Sequence, residues 1–98
     1  MLFAFVCKDR PGSQQVRLDT RPEHVAFLEG LNGEKKLAFA GPFLDADGKP
    51  NGSLVVVEAP DLAEAQALSA ADPYAKAGLF ESVEIRQWNW TFNKPAVS

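Results

Sequence analysis

One histidine, one cysteine, one methionine and one tyrosine among ninety-eight residues leave several chemistries without their ingredients. A lone cysteine, Cys7, cannot form an internal disulfide, which suits a reducing compartment. One histidine and one distant cysteine do not make a zinc set, so no metal and no other cofactor is expected. Ten basic residues against thirteen acidic ones give a net charge of -3 and no basic footprint, which argues against a nucleic-acid partner. No apolar run approaches the roughly twenty residues of a membrane span. The opening "MLFAFVCKDRPG" lacks the basic flank and small-residue cleavage site of a secretory signal, so the cytoplasm is the expected location. Repeats, low-complexity tracts and linkers are missing too.

What remains is ordinary globular material. With 46% hydrophobic and 23% charged residues, the chain reads as one domain over residues 1–98, with 93–98 as a loose tail.

Along the chain, 2–8 reads as a short apolar strand ended by "KDRPGS". "DTRPEHVAFLEGLNG" reads as a helix, with Thr20 and Glu23 as a capping box, Pro22 in its first turn and Asn32-Gly33 as its stop. A second strand is expected over 36–43, a polar loop over "LDADGKPNG", and a valine-rich third strand over 53–59. Asp61 and Glu64 open a second helix to about Ala71, with Leu62, Ala65 and Leu68 on one face. "SVEIRQWNWTF" alternates as a final strand over 82–92. The order β-α-β-β-α-β predicts an α+β, ferredoxin-like fold: an antiparallel sheet with both helices on one face.

Strand alternation puts Leu2, Ala4 and Val6 opposite Phe3, Phe5 and Cys7. It likewise sets Val55 and Val57 against Leu54 and Val56, and Val83 and Ile85 against Trp88, Trp90 and Phe92. Both sheet faces are then apolar and the helices cover one. A bare apolar face of that size predicts a homodimer packed sheet to sheet as a barrel-like core, unless the tail or a loop covers it.

Two residues stand out as chemical candidates. His24 starts a stripe with Phe27, Leu28 and Leu31 at i+3, i+4 and i+7, at the rim of the sheet. Its expected place near a helix N-terminus favours the neutral imidazole, which accepts a proton. Taken alone, it reads more readily as a buried histidine hydrogen-bonded to backbone. Asp72 precedes Pro73, so it ends one helix and caps a short turn closed by Gly78. If the two helices run antiparallel, the fold brings Asp72 to His24, where a carboxylate would orient the imidazole as a general base. A Cys7–His24 nucleophile and a phosphate cradle at "GKPNGS" are weaker readings. Arg17 and Arg21 flank the helix start and could grip a carboxylate, or pair with Asp19 and Glu23.

The segments "RLDTRPEHVAFL", "LAFAGPF", "GSLVV" and "ADPYAKAGLFESVEI", in that order, resemble the YciI-like (YCII-related) family of small bacterial proteins. The likeness runs to about Trp88. It implies a ferredoxin-like protomer of the dimeric α/β-barrel superfamily, with room for a higher oligomer. It also implies an active site in which R-P-x-H falls on His24 and D-P-[YF] on Asp72. Arg17, Arg21, Gly41, Pro42, Ser53 and Tyr74 match positions expected to line the same pocket. Dehydrochlorination of a chlorinated hydroxyhydroquinone, muconolactone isomerisation and monooxygenation of small aromatics are the chemistries of similar barrels. The expected function is therefore cofactor-free acid–base catalysis by His24 and Asp72 on a small cyclic or aromatic acid. The alternative is a non-catalytic metabolite-binding or accessory module. The connection around "LDADGKPNGS" is trimmed relative to some members.

Overall fold

Alternation along the first strand sets the layering of the molecule. In the computed structural model, which describes residues 1–95, β1 (Leu2–Asp9) buries Phe3, Phe5, Cys7 and Asp9 and turns Leu2, Ala4 and Val6 the other way. The other elements are α1 (Gln14–Gly33), β2 (Leu37–Leu44), β3 (Pro50–Glu58), α2 (Leu62–Ala71), α3 (Pro73–Lys76) and β4 (Phe80–Trp88). The strands form one antiparallel sheet in the order β2-β3-β1-β4, as the ferredoxin-like reading requires. Between sheet and helices lies the core, where Phe3, Phe5, Cys7, Val55 and Val57 meet Leu31 and Ala65. No helix among the described residues is long and apolar enough to cross a membrane.

Several boundaries differ from expectation, each for a local reason. The first helix starts at Gln14, six positions before Thr20, so Thr20 and Glu23 are not its capping box and Pro22 lies inside it. Proline there removes the bond to the Leu18 carbonyl. Leu18 is among the most exposed apolar residues, so water is at hand for that group. His24 is thus mid-helix and away from the N-terminal dipole. In α2 the cap is as expected, with Asp61 Oδ accepting from Glu64 N at 2.9 Å. Leu62 at its start is 48% exposed, which leaves Ala65 and Leu68 as the packed face.

The expected polar loop tightens into a hairpin. Asp45 N donates to Lys49 O at 2.8 Å, Asp45 Oδ1 accepts from Asp47 N and Lys49 N, and Gly48 takes a φ of +79° that glycine adopts without strain. That turn starts β3 at Pro50, earlier than expected. β4 in turn stops at Trp88, because Trp88 pairs with Leu2 and β1 offers no partner beyond it.

On the sheet face away from the helices, Leu2, Ala4, Val6, Leu54 and Val56 are joined by Phe39 and Phe43. Along β4 that face carries Trp88, Arg86 and Glu84, opposite Leu2, Ala4 and Val6. It is therefore apolar over the middle of three strands, and charged along most of one edge and at the strand ends Lys8 and Glu58. The segment after β4 also folds back. Phe39 meets Trp88 edge-on at 5.6 Å and Trp90 at 5.0 Å, which shields one corner of the face. Phe92, expected on the strand, is 83% exposed. Of the expected tail, residues 96–98 lie outside the described residues.

Candidate functional site

One stripe of α1 explains the site. Arg17, Arg21, His24, Leu28 and Leu31 recur at i, i+4, i+7, i+11 and i+14, so they share a helix face. The C-terminal part of that face enters the core. Its N-terminal part is polar, because it borders a cavity rather than the sheet.

Asp72 reaches the stripe from the opposite side. Backbone at φ -62°, ψ 126° places it between α2 and α3 as the C-cap of one and the N-cap of the other. Its Oδ1 accepts from Tyr74 N at 2.9 Å, the capping bond, and meets His24 Nδ1 at 2.8 Å. Both bonds end on the same oxygen. A carboxylate only accepts, which assigns the ring hydrogen to Nδ1 and the lone pair to Nε2. His24 and Asp72 are 8% and 6% exposed, so this pair is held away from bulk water.

The same turn delivers Tyr74, whose ring stacks on His24 with centroids 3.9 Å apart and planes 15° from parallel. The Arg17 guanidinium carbon lies 4.7 Å from the Tyr74 centroid. Arg17 and His24 are two turns apart on α1, about 10.5 Å along the axis, which is room for one ring between them. Tyr74 is thus clasped between a cation and an imidazole, and locks the imidazole plane. Burial raises the Tyr74 hydroxyl pKa above its ordinary value and outweighs the opposing pull of Arg17 and Arg21, so the hydroxyl keeps its proton.

Arg17 is committed within the protein. Its Nε donates to Asp9 Oδ2 at 2.7 Å, and its Nη2 donates to Asp9 Oδ1 at 2.9 Å and to Ser53 Oγ at 3.0 Å. Burial pulls the guanidinium pKa down, but the bonds and charge of Asp9 prevail and hold it above its ordinary value. The expected partners Asp19 and Glu23 are not the ones used: Asp19 accepts from Gln15, and Arg17 pairs with Asp9. Sequence reasoning passed over Asp9 as part of a turn. The signal was nevertheless present, since Phe3, Phe5, Cys7 and Asp9 continue one inward parity.

Arg17, Arg21, His24, Gly41, Pro42, Ser53 and Tyr74 all line one cavity of about 330 Å³, and Asp72 sits behind it. Apolar walls come from Leu18, Val25, Leu28 and Val55, and Pro50 of the tight hairpin closes one side. That size is at the lower end for small-molecule sites, about 300–1,000 Å³. Among the described residues His24 Nε2 has no protein partner, and no buried side-chain polar atom lacks one. Cys7 takes no part. Burial first, then Asp72 and Asp9, push its thiol up to about 12, and a protonated core thiol is a poor nucleophile.

The sequence has recognisable relatives. Protein YciI of Escherichia coli O6:H1 is 36% identical over 98 residues, which span 94% of this chain and all of the relative. Among solved structures, the 5-chloro-2-hydroxyhydroquinone dehydrochlorinase of Burkholderia phenoliruptrix AC1100, in complex with 2,5-dihydroxybenzoquinone, is 39% identical. It superposes with a TM-score of 0.83 over 91% of this chain and 94% of that one. A NIPSNAP family protein of Agrobacterium tumefaciens, 23% identical with a TM-score of 0.56 over 96% of this chain and 95% of its own, shares the fold. The YCII-related domain model matches residues 1–89, so the chain belongs to the YCII-related family.

Proposed function

We propose that the chain is a small-molecule enzyme that uses His24 and Asp72 for cofactor-free general acid–base chemistry on a small cyclic or aromatic acid. One observation carries the reading: Asp72 holds His24 through Nδ1 at 2.8 Å, which leaves Nε2 as the basic nitrogen of a residue that lines the cavity. Apolar walls with a few polar groups among them suit a ring that bears oxygen substituents.

The reaction class is a lyase or isomerase. For a chlorinated hydroquinone, the substrate type of the dehydrochlorinase relative, loss of hydrogen chloride needs a base and a leaving group. His24 first carries the proton of the hydroxyl beside the chlorine to the chlorine-bearing carbon, which makes a ketone and an sp3 carbon that holds both hydrogen and chlorine. Nε2 then takes the proton of the hydroxyl para to that ketone, the oxygen electrons form the second carbonyl, the ring double bond shifts, and chloride leaves with the carbon–chlorine pair to give the quinone. Electrons balance without an outside oxidant. The imidazolium formed is neutralised by Asp72, and Tyr74 keeps its plane fixed.

The test is chloride release from 5-chloro-2-hydroxyhydroquinone by the wild type and by His24→Asn. Turnover that falls about 10²–10⁴-fold in the variant supports the reading. Ring binding without turnover in the wild type would refute it in favour of a metabolite-binding or accessory module.

The proposal includes a homodimer through the open sheet face. Leu54, Phe43 and Val6 on that face stay partly or fully exposed in the single chain, although Trp90 shields its Phe39 corner. Contiguous apolar surface of this kind marks an interaction site.

A further inference from the structure

We propose that the cavity takes a ring with one anionic oxygen group, and that Arg21 alone reads its charge because Asp9 has already cancelled that of Arg17. The inference rests on the small-molecule reading of the cavity and names the substrate class within it.

The two arginines stand one helical turn apart and line the same cavity, yet they are in different electrostatic states. Arg17 is 8% exposed and bound to both oxygens of Asp9, in the fork-to-fork geometry that matches guanidinium to carboxylate. Its Nη2 also serves Ser53. Nη1 lies outside those bonds, but it belongs to a pair without net charge, and the Tyr74 hydroxyl also draws on this guanidinium. A neutral ring oxygen suits that nitrogen. A second carboxylate would have to displace Asp9 and leave it buried without its partner.

Arg21 is exposed and makes no ion pair among the described residues. Its charge still reaches the cavity, for it pulls against the upward shift of the Tyr74 hydroxyl. The remaining charge, Asp72, stands behind the imidazole and is occupied by His24 Nδ1 and Tyr74 N. The sum over the lining is one accessible positive charge, at the mouth, above apolar walls. A neutral ring would gain nothing from Arg21. A dianion would push its second charge toward Asp9 and Asp72.

Isothermal titration with three ligands on one ring tests this: hydroquinone, 2,5-dihydroxybenzoate and 2,5-dihydroxyterephthalate. The wild type should bind the monocarboxylate about tenfold tighter than hydroquinone. The dicarboxylate should bind no tighter than the monocarboxylate. Arg21→Gln, a change at an exposed position, should abolish the tenfold preference and leave hydroquinone binding as it was. Added salt should erode the preference in the wild type, since a charge at the mouth is screened. Carboxylate binding no tighter than hydroquinone in the wild type, including no detectable binding of either, overturns the inference. So does a preference that survives Arg21→Gln. Because binding is read and not turnover, a silent protein that keeps the preference refutes the acid–base reading and leaves this one standing.

Discussion

Asparagine and alanine at position 72 separate the two jobs of one carboxylate oxygen. In the native chain Oδ1 accepts from Tyr74 N at 2.9 Å and from His24 Nδ1 at 2.8 Å. An asparagine carbonyl occupies the same place and keeps both acceptor roles, so Asp72→Asn removes charge but neither bond. Its stability should fall by no more than about 1 kcal/mol, since asparagine caps as well as aspartate. Alanine removes the cap, about 1 kcal/mol, and leaves a buried imidazole N–H unpaired, about 1–3 kcal/mol. The sum is near 3 kcal/mol, or about 15 °C in Tm for a domain of this size. Activity should follow a different order. Neither variant carries the charge that neutralises the imidazolium, so kcat/KM should fall about 10²-fold or more in both. Thermal unfolding and chloride release, measured on the same samples, give the two readouts. Full activity in Asp72→Asn would show that the charge behind His24 is irrelevant and refute the dyad. Equal stability losses in both variants would refute the assignment of both bonds to one replaceable oxygen.

Other outcomes follow from the packing. A Cβ at Gly52 would stand 2.5 Å from the Cys7 carbonyl oxygen and 3.3 Å from Phe43 Cδ2, so Gly52→Ala should destabilise by about 1–3 kcal/mol in urea unfolding. The Cys7 thiol, raised from 9.0 to about 12, keeps its proton in the fold while the unfolded chain releases it. Its contribution is complete below pH 9.0 and is lost between there and about 12, at up to about 1.4 kcal/mol per pH unit. Cys7→Val should flatten that alkaline limb, and a limb unchanged by the substitution would contradict the burial of the thiol. Asp9→Ala strands a buried guanidinium and should cost about 3–5 kcal/mol by chemical denaturation, far more than any exposed pair of this chain. On the open sheet face, light scattering should report a dimer, and Leu54→Lys should yield monomers; a monomeric wild type would contradict the assembly.

The fold was legible wherever local grammar and burial agree. Asp61 caps α2, Asp72-Pro73 ends it and starts α3, and strict alternation in β1 separates the two sheet faces. The start of α1 was not legible, because its exposed and cavity-facing residues leave the first half without an apolar stripe. Arg17, Arg21 and His24 fill the positions where Leu28 and Leu31 sit further on, and Thr20 with Glu23 mimics a cap in mid-helix. The end of β4 was hidden for another reason. "WNWTF" alternates like a strand, but the length of β1 decides how much of it finds a partner. For the site, the nearness of His24 and Asp72 followed from topology, although the helix-dipole argument attached to His24 did not hold. Asp9 was overlooked because a turn motif masked its inward parity, and with it went the distinction between a committed Arg17 and an available Arg21. Which arginine is free depends on a strand-to-helix contact that residue spacing along α1 cannot reveal.

The chain has one histidine, so its ring nitrogens can be observed without assignment ambiguity. Long-range ¹H–¹⁵N NMR at a pH where the imidazole is neutral reads the tautomer directly. The account predicts hydrogen on Nδ1 and an unprotonated Nε2 in the wild type, with the tautomers mixed in Asp72→Ala. A wild-type ring with its hydrogen on Nε2 would leave no base facing the cavity and would contradict the central claim.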